Sequence, residues 1–435
     1  ENADGSIVRH LASGVLGPNA PKPFQKNSKK QTIVWDGKDD RGRYVDDKDN
    51  LTVRVSLGLK ARFERTLFWS PKRRTRSPKY EGYYQVVAPT PAGVYVYDGG
   101  NADHIRLFDH EGNYVRTIYP PPANKIRAVK GLLWRTFPQD GRELPLKWGL
   151  PQYTFLTSGN VKWDGTRWPT GGGGVSVTCM AVHGNRIALV SQRLNRLADD
   201  GSTGGLPITG PKTCQTMYVH GVHGLRSGNY EIAPQSAAFS PDGKYLYITG
   251  FRYHLSWRTG CAHGVTRLEF DSNDTPALFK GDLSAKGHGT DNEHFNYPTS
   301  VDCDATGRVY ASDYHNDRIQ VFAPDGTHLK TIPVNKPARV VVNRKTGEIY
   351  AFSYPIITTH FWYHEKALRA IKNVLRRFAS FESPKQTGAW PLPKGTCKFP
   401  RGGGGLDAGR FELDFQTNPP TLLAMTRKGP VAYEI

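Results

Sequence analysis

Residues 295–326 read FNYPTSVDCDATGRVYASDYHNDRIQVFAPDG and contain the clearest strand pattern of the chain. Polar and apolar residues alternate over 300–303, which is the pattern of a half-buried β-strand. A turn that contains Asp304 and Gly307 follows, and an aromatic-containing strand occupies 308–312. The stretch therefore predicts short antiparallel strands joined by tight turns.

The same unit, which is a short strand, a turn with Gly, Asp or Asn and a second, aromatic-rich strand, recurs along the chain. Its six copies lie at 84–87 with 93–97, 179–182 with 186–190, 237–243 with 245–248, 300–303 with 308–312, 338–342 with 348–352, and 411–415 with 422–425. Small antiparallel sheets repeated every ~40–60 residues are typical of a β-propeller. We expect an all-β fold whose propeller has six blades, or seven if the long interval after the first copy hides another.

Residues 295–326 also resemble an NHL repeat, which has an F-x-x-P segment, a G-x-(I/V)-Y-V-A-D strand and an R-(I/V)-Q-V-F strand. The matching segments are FNYP at 295–298, GRVYASD at 307–313 and RIQVF at 318–322. A looser match covers 93–98 with 104–112. The resemblance implies an NHL-type propeller over 83–435. We expect Tyr310 and Phe322 to be buried between neighbouring blades.

Residues 1–75 differ from the repeats that follow. Strand-like runs lie at 6–11, 31–35 and 51–57, and the turn WDGKDDRGRYV occupies 35–45. In this order they resemble the FlgD-type immunoglobulin-like module of exported bacterial proteins. The resemblance implies a small β-sandwich over 1–75, in which Trp35 is buried, and a basic linker at 76–82.

One segment has the periodicity of a helix. Residues 363–379 place Leu368, Ile371, Leu375 and Phe378 on one helical face. The sequence therefore predicts one helix inserted into the propeller and packed on one of its faces.

The chain is strongly basic. Its 435 residues include 58 Lys and Arg against 39 Asp and Glu, which gives a net charge of +19. This charge favours anionic partners, namely nucleic acid, an acidic polysaccharide, a phospholipid or an acidic protein. We expect the basic residues next to the predicted domain junction to bind such a partner; they are Lys72, Arg73, Arg74, Arg76 and Lys79. No apolar run approaches the ~18 residues that a transmembrane helix needs.

The cysteines argue against the common thiol-based sites. The chain has five, with no CxxC or CxxCH spacing, so a zinc ribbon, a thioredoxin-type site and c-type haem attachment lack support. We expect no cofactor. Cys303 lies in a predicted strand and is expected in the core. A Cys214–Cys261 disulfide stays open if the chain is exported.

Candidate functional residues concentrate around the clearest repeat. His288, Asp291, Glu293 and His294 precede it, and His315 follows its second strand. Because connections of every blade meet on a propeller face, binding residues collect there. We expect these five residues to form a polar site on a face of the propeller.

Two metal sites stay open, and neither is assigned. His220 and His223 are three residues apart, as zinc ligands in a loop can be, but the sequence fixes no further ligand beside them. Asp36, Asp39 and Asp40 suggest calcium but lack the distal Glu of an EF-hand loop.

The favoured function is a non-catalytic, exported binding or scaffold protein that engages an anionic glycan or an acidic protein. Both resembling families are scaffolds that host many functions. The alternative is a propeller-type lyase or another enzyme acting on an acidic polysaccharide, with candidate residues in 252–254 and at Tyr314 and His315. A third hypothesis is nucleic-acid binding.

The resemblance to exported proteins implies an extracellular or periplasmic location. The chain begins ENADGSIVRH without a Met, so we expect a removed signal or a truncated chain. A larger assembly with other chains is compatible with a scaffold role.

Overall fold

The computed structural model describes residues 1–12, 16–55, 85–98, 104–132, 134–145, 177–190, 193–214, 234–255, 258–284, 286–356, 370–392, 410–426 and 429–434. The chain divides into two compact units, Glu1–Glu64 and Arg65–Ile435. The predicted linker at 76–82 lies outside the described residues, so the domain boundaries at 75 and 83 stay predictions.

The first unit does not show the predicted β-sandwich. Within 1–12 and 16–55 there is no β-strand, and one isolated bridge joins Lys38 to Tyr44. The strands predicted at 6–11 and 31–35 are therefore wrong, and so is the strand predicted at 51–57 over its described part, 51–55. Alternating residues form a strand only when a second layer covers their apolar side. Here Val34 is 88% exposed.

Trp35, which we expected to be buried, is half-buried. Its indole Nε1 donates a hydrogen bond to the Lys38 carbonyl oxygen at 2.8 Å. The tryptophan therefore fastens the 35–45 turn instead of filling a core.

The second unit is a propeller arrangement of antiparallel sheets. Blade I contains β1 (Gln85–Thr90), β2 (Gly93–Asp98), β3 (His104–Phe108) and β4 (Tyr114–Tyr119). A hairpin of β5 (Trp134–Thr136) and β6 (Glu143–Pro145) follows a 3-10 turn at Ile126–Ala128. Blade II contains β7 (Cys179–His183), β8 (Arg186–Val190), β9 (Arg193–Ala198) and β10 (Thr209–Lys212).

Blade III contains β11 (Ser236–Phe239), β12 (Tyr245–Thr249), β15 (His263–Glu269) and β16 (Ala277–Asp282), and the hairpin of β13 (Arg252–Leu255) and β14 (Arg258–Cys261) is inserted into it. Blade IV contains β17 (Pro298–Cys303), β18 (Val309–Asp313), β19 (Arg318–Phe322) and β20 (His328–Pro333). Blade V contains β21 (Pro337–Val342), β22 (Ile349–Ser353), β23 (Val374–Phe378) and β24 (Gln386–Pro391). Sheet VI has three strands, β25 (Arg410–Asp414), β26 (Thr421–Thr426) and β27 (Gly429–Glu434).

The first strands of these six sheets contact one another in a ring. Strand β7 contacts β1 and β11, β17 contacts β11 and β21, and β25 contacts β21 and β1. The all-β propeller class is therefore confirmed, and the six sequence copies match the first two strands of the six sheets. Whether the full chain has six or seven blades stays a prediction.

Aromatic residues join neighbouring blades, as the sequence predicts. Tyr310 and Phe322 are both fully buried. Tyr310 packs in a cluster with residues of blade V, including Val340. Phe322 packs in a cluster with residues of blade III, including Tyr247. The two apolar faces of blade IV are therefore covered by two different neighbours. Cys303, also fully buried in the second cluster, is a core residue as expected.

The predicted helix at 363–379 is wrong over its described part. Val374–Phe378 is β23, the third strand of blade V, paired with β22 and β24. Leu375 packs in the cluster with Phe411, whereas Phe378 packs in the cluster with Tyr310. The two residues therefore face opposite sides of a sheet, while the helical periodicity assumed one face. Residues 363–369 lie outside the described residues.

The blades define two faces of the ring. The upper face is the end at which each first strand begins. Of the described residues, it carries 250–255, 258–262, 283–284, 286–297, 314–317, 334–336, 354–356 and 370–373. The lower face carries the turns 304–308, 323–327 and 343–348. Within the described part of the chain, no helix is long and apolar enough to span a membrane.

Arg344 crosses the lower end of the ring. Its Nε donates to the Cys303 carbonyl oxygen at 3.0 Å, and its Nη2 donates to the Phe239 carbonyl oxygen at 2.6 Å. These residues end the first strands of blades IV and III, whereas Arg344 follows the first strand of blade V. One guanidinium group thus connects three blades and occupies this side of the axis.

We predict that Phe322→Ala lowers the free energy of unfolding by about 3–5 kcal/mol, because it leaves a cavity between blades III and IV. Urea denaturation measures the change. The control is Leu329→Ala in the same blade, where the side chain is 41% exposed and the expected loss is about 0.5 kcal/mol or less. Equal losses for the two variants would contradict the packing assigned to Phe322.

Candidate functional site

The five residues of the predicted polar site all lie on the upper face, but three of them, Asp291, Glu293 and His294, stabilise the connection that contains them. Asp291 accepts the backbone N–H groups of Glu293 and His294 at 2.8 and 3.0 Å, and its Oδ1 lies 2.8 Å from His294 Nδ1. The hydrogen bond from His294 is the main cause that lowers the pKa of Asp291. Glu293 pairs with Lys280 at 2.6 Å. These contacts fix the 283–297 connection.

A buried carboxylate fastens this connection to blade IV. Asp313 is fully buried at the end of β18, and its carboxylate accepts the Asn296 N–H at 2.7 Å and Arg318 Nε at 2.8 Å. Arg318 also donates through Nη2 to the Asp291 carbonyl oxygen at 2.5 Å. Burial raises the pKa of Asp313, while these donors oppose the rise.

The other two predicted residues belong to a continuous series of rings. We call it the ring cluster; its members are His263, His288, Tyr297, Tyr314 and His315. The ring centroids of His288 and His263 are 5.5 Å apart, and those of His263 and Tyr297 are 6.3 Å apart. His315 lies 5.3 Å from both Tyr297 and Tyr314.

Two hydrogen-bonded groups orient the buried rings of the cluster. His263 Nδ1 accepts the backbone N–H of Tyr297 at 3.1 Å, so a neutral His263 carries its proton on Nε2. The Tyr314 hydroxyl donates to the Tyr354 carbonyl oxygen at 3.1 Å and accepts the Ile356 N–H at 3.0 Å. The members of the cluster therefore come from blades III and IV and the connection between them, and residues that follow β22 of blade V fix Tyr314.

Backbone strain is concentrated at the same place. Among the described residues, four non-glycine residues have left-handed backbone angles, and three of them lie here: Tyr297 (φ 69°), Asp317 (φ 53°) and Lys336 (φ 45°). Such residues cost about 1–3 kcal/mol each and persist where the surrounding structure holds them. Asp317 Oδ1 holds Lys336 by accepting its N–H at 2.8 Å and pairing with its Nζ at 3.0 Å.

The electrostatic surroundings keep His315 neutral. Burial and, to a smaller extent, the charge of Lys336 lower the pKa of His315 to about 4, while Asp317 opposes them. The ring still reaches solvent, although the neighbouring groups displace much of the water around it. Near neutral pH His315 is therefore an uncharged imidazole, which has one N–H donor and one acceptor nitrogen.

Sequence reasoning missed four residues of this region, namely His263, Tyr297, Asp317 and Lys336. One sequence feature marks two of these positions: Asn296-Tyr297-Pro298 and Asn335-Lys336-Pro337 repeat an Asn-x-Pro motif where two first strands begin. The motif does not indicate the backbone conformation found there. Proline normally holds the preceding residue in an extended conformation. The motif alone therefore predicts the opposite of the left-handed backbone found at both positions.

Several candidate residues fall outside the described residues. They are His220, His223, Lys72, Arg73, Arg74, Arg76 and Lys79. The backbone of Arg252–Leu255 forms β13, and its side chains also lie outside the described part of the structure. The roles predicted for these residues stay predictions.

The aspartates considered for calcium have local structural partners. Asp39 Oδ1 accepts the N–H groups of Arg41 and Arg43 at 2.8 Å, and Asp40 pairs with His10 at 2.5 Å. Asp36 Oδ1 accepts the Lys38 N–H at 3.1 Å. Within the described ranges, no three His, Cys, Asp or Glu side chains converge as a metal site.

The disulfide considered for an exported chain is wrong. Cys214 and Cys261 are both buried, and their sulfurs are not bonded to each other. Cys214 packs in a cluster with residues of blades II and III, whereas Cys261 packs in a cluster with residues of blades IV and V. The two side chains therefore serve different parts of the core.

The sheets and their ring of first strands define this chain as a β-propeller protein. No family model matches it, and no curated protein matches it. The NHL and FlgD-like resemblances therefore stay predictions.

Solved structures give similarities at the level of fold. One is a Bacteroides thetaiotaomicron protein of unknown function, at 11% identity and TM-score 0.41, over 81% of this chain and 69% of that one. Another is streptogramin B lyase, at 12% identity and TM-score 0.35, over 83% and 86%. A chain of a nidogen/laminin complex has 12% identity and TM-score 0.35, over 71% and 78%. None of them assigns an activity to this chain.

We predict that His315→Gln reduces the loss of stability on acidification. The folded pKa of His315, about 4, lies below its ordinary value near 6.5. As pH falls from about 6.5 to 4, His315 is protonated in the unfolded chain but not in the folded protein, so the free energy of unfolding falls. Urea midpoints at pH 7.5 and 5.0 measure the effect. An equal drop in wild type and variant would contradict the depressed pKa.

Proposed function

We propose that the protein is an exported binding or scaffold protein that recognises an anionic glycan or an acidic protein on the upper face of its propeller. The observation that carries the proposal is the ring cluster beside the strained Asp317–Lys336 pair. Strain held by surrounding contacts is characteristic of sites that are shaped before their ligand arrives.

The composition of the site suits recognition of a polar ligand. Tyrosine and histidine rings present flat apolar surfaces together with a polar edge. Lys336 adds a cation whose ammonium lies 5.7 Å from the centre of the Tyr314 ring. The net charge of +19 would speed the encounter with an anionic partner.

An enzyme acting on an acidic polysaccharide is the second candidate, and one specific observation favours it. The neutral His315 lies beside Tyr314 and near Lys336. Proton abstraction next to a uronate needs a neutral base and a cation that stabilises the developing charge. With its pKa of about 4, His315 would be the base under acidic conditions, and Lys336 would be the cation.

We predict that wild-type protein binds hexagalacturonate, a sulfated dextran oligomer or a polyglutamate peptide more tightly than a neutral dextran oligomer. Calorimetry at two salt concentrations measures affinity, and an RNA oligomer of equal charge tests nucleic-acid binding. His315→Ala should weaken the preferred complex about tenfold through lost hydrogen bonds and ring contact. His328→Ala, on the outer strand of blade IV, is the control. Equal binding of all probes by wild type would overturn the proposal.

The same samples separate binding from catalysis. Unsaturated products absorbing at 235 nm, or new reducing ends, would show turnover of the polymers, and their loss in His315→Ala would assign the base. Binding without any product supports the non-catalytic function.

The junction residues provide a separate prediction. Replacing Lys72, Arg73, Arg74, Arg76 and Lys79 by Gln should weaken the anionic complex and flatten its salt dependence, because salt screens the attraction between these charges and an anionic ligand. An unchanged affinity and salt slope would limit recognition to other residues.

A further inference from the structure

We propose that Arg376 forms an oxyanion subsite next to the ring cluster, and that it binds the carboxylate or sulfate group of an anionic glycan. This inference deepens the proposed function and rests on it. Arg376 lies in β23 of blade V, and its guanidinium group reaches Ser353 at the upper end of β22.

The hydrogen bonding of Arg376 is incomplete within the described part of the chain. Its Nη1 donates to Ser353 Oγ at 2.5 Å, and no described carboxylate lies within ion-pair distance. A guanidinium group has five N–H donors, so most of them remain for solvent or a ligand. Burial lowers the pKa of Arg376, and no neighbouring anion among the described residues opposes that effect.

Three other enclosed arginines of the propeller have hydrogen-bond partners within the protein. Arg318 pairs with Asp313, and Arg308 pairs with Asp304. Arg196 is fully buried and donates to three carbonyl oxygens and one amide oxygen, those of Pro207, Phe270, Ser272 and Asn273. A desolvated cation without a counter-ion is costly. Arg376 is thus the position at which an external oxyanion would supply the missing partner.

A short chain of contacts connects this position to the ring cluster. Ser353 Oγ donates to the Asn335 carbonyl oxygen at 2.6 Å. Asn335 directly precedes Lys336, and Asn335 Nδ2 donates to Asp317 at 3.3 Å. A ligand that spans the boundary of blades IV and V therefore meets ring surfaces at one end and Arg376 at the other.

This combination favours a glycan over a protein as the partner. A uronate or sulfated oligosaccharide carries its oxyanions on compact rings, so the flat side chains contact one sugar while the guanidinium group binds the oxyanion of another. Arginine binds carboxylate and sulfate oxygens in a bidentate manner, which gives orientation as well as attraction.

The chain provides a matched control for the test. Arg377 is the next residue of the same strand, and it points to the other side of the sheet, where its Nε lies 3.0 Å from Thr387 Oγ1 and 3.7 Å from Glu348. Arg376→Gln and Arg377→Gln remove the same charge from adjacent positions. Arg376→Lys keeps the charge and removes the bidentate geometry.

Calorimetry with hexagalacturonate, a sulfated dextran oligomer, polyglutamate and neutral dextran tests the inference on the full chain. Arg376→Gln should weaken the charged oligosaccharide complex about 10- to 100-fold, Arg376→Lys less so, and Arg377→Gln less than about twofold. The oligomer that depends most on Arg376 identifies carboxylate or sulfate as the preferred group. Equal weakening by both Gln variants, or none, would overturn the subsite. Dependence on Arg376 for polyglutamate alone would assign an acidic protein and refute the glycan.

A second measurement separates this inference from the proposed function. Sodium sulfate should raise the thermal midpoint of wild type and Arg377→Gln more than that of Arg376→Gln, because only a folded subsite binds the ion. That difference supports the subsite even if no oligomer binds and the proposed function fails. The same rise in all three proteins refutes the subsite. The untreated midpoints also show that each variant is folded.

Discussion

The structure depends on one packing constraint, which is that each blade is apolar on both of its faces. In blade IV, Tyr310 packs towards blade V and Phe322 towards blade III, and both side chains are fully buried. A single four-stranded sheet cannot cover two apolar faces, so each blade needs a neighbour on either side. The contacts of β25 with β21 and β1 continue this arrangement around the axis. Because the sheets carry the hydrophobic stabilisation, the connections at their ends are available for polar chemistry.

Two carboxylates fix the polar connections of the upper face. Asp313, fully buried, fastens the 283–297 connection through Asn296 and Arg318. Asp317 holds Lys336 in a left-handed conformation that a residue before proline normally avoids. Charge-assisted hydrogen bonds of this kind are stronger than neutral ones and offset the strain. The ring cluster is therefore placed by electrostatics, on a scaffold that is held by apolar packing.

The sequence predicted the sheets better than the site, and the reason is physical. A period of two residues reports burial on the faces of a strand, so the six copies identified the first two strands of each of the six propeller sheets. The spacing of Leu375 and Phe378 is compatible with one face of a helix, but in the fold the two residues serve different inter-blade clusters. His288 and His315 were found because chain order places them at strand ends. His263 and Lys336 were missed because their roles arise from contacts between blades and from a backbone conformation that no local pattern indicates.

The net charge shows the same limit of prediction from sequence. A value of +19 describes the attraction of the whole chain for anions, but many of the enclosed cations already have a carboxylate, as Arg318 has Asp313. Recognition needs a local imbalance, in which a desolvated charge lacks its partner. Arg376 and Arg377 contribute equally to the total, yet Arg377 faces Glu348 and Thr387 while Arg376 faces Ser353. The side of the sheet on which an arginine lies, rather than the number of arginines, therefore decides where an anion can be bound.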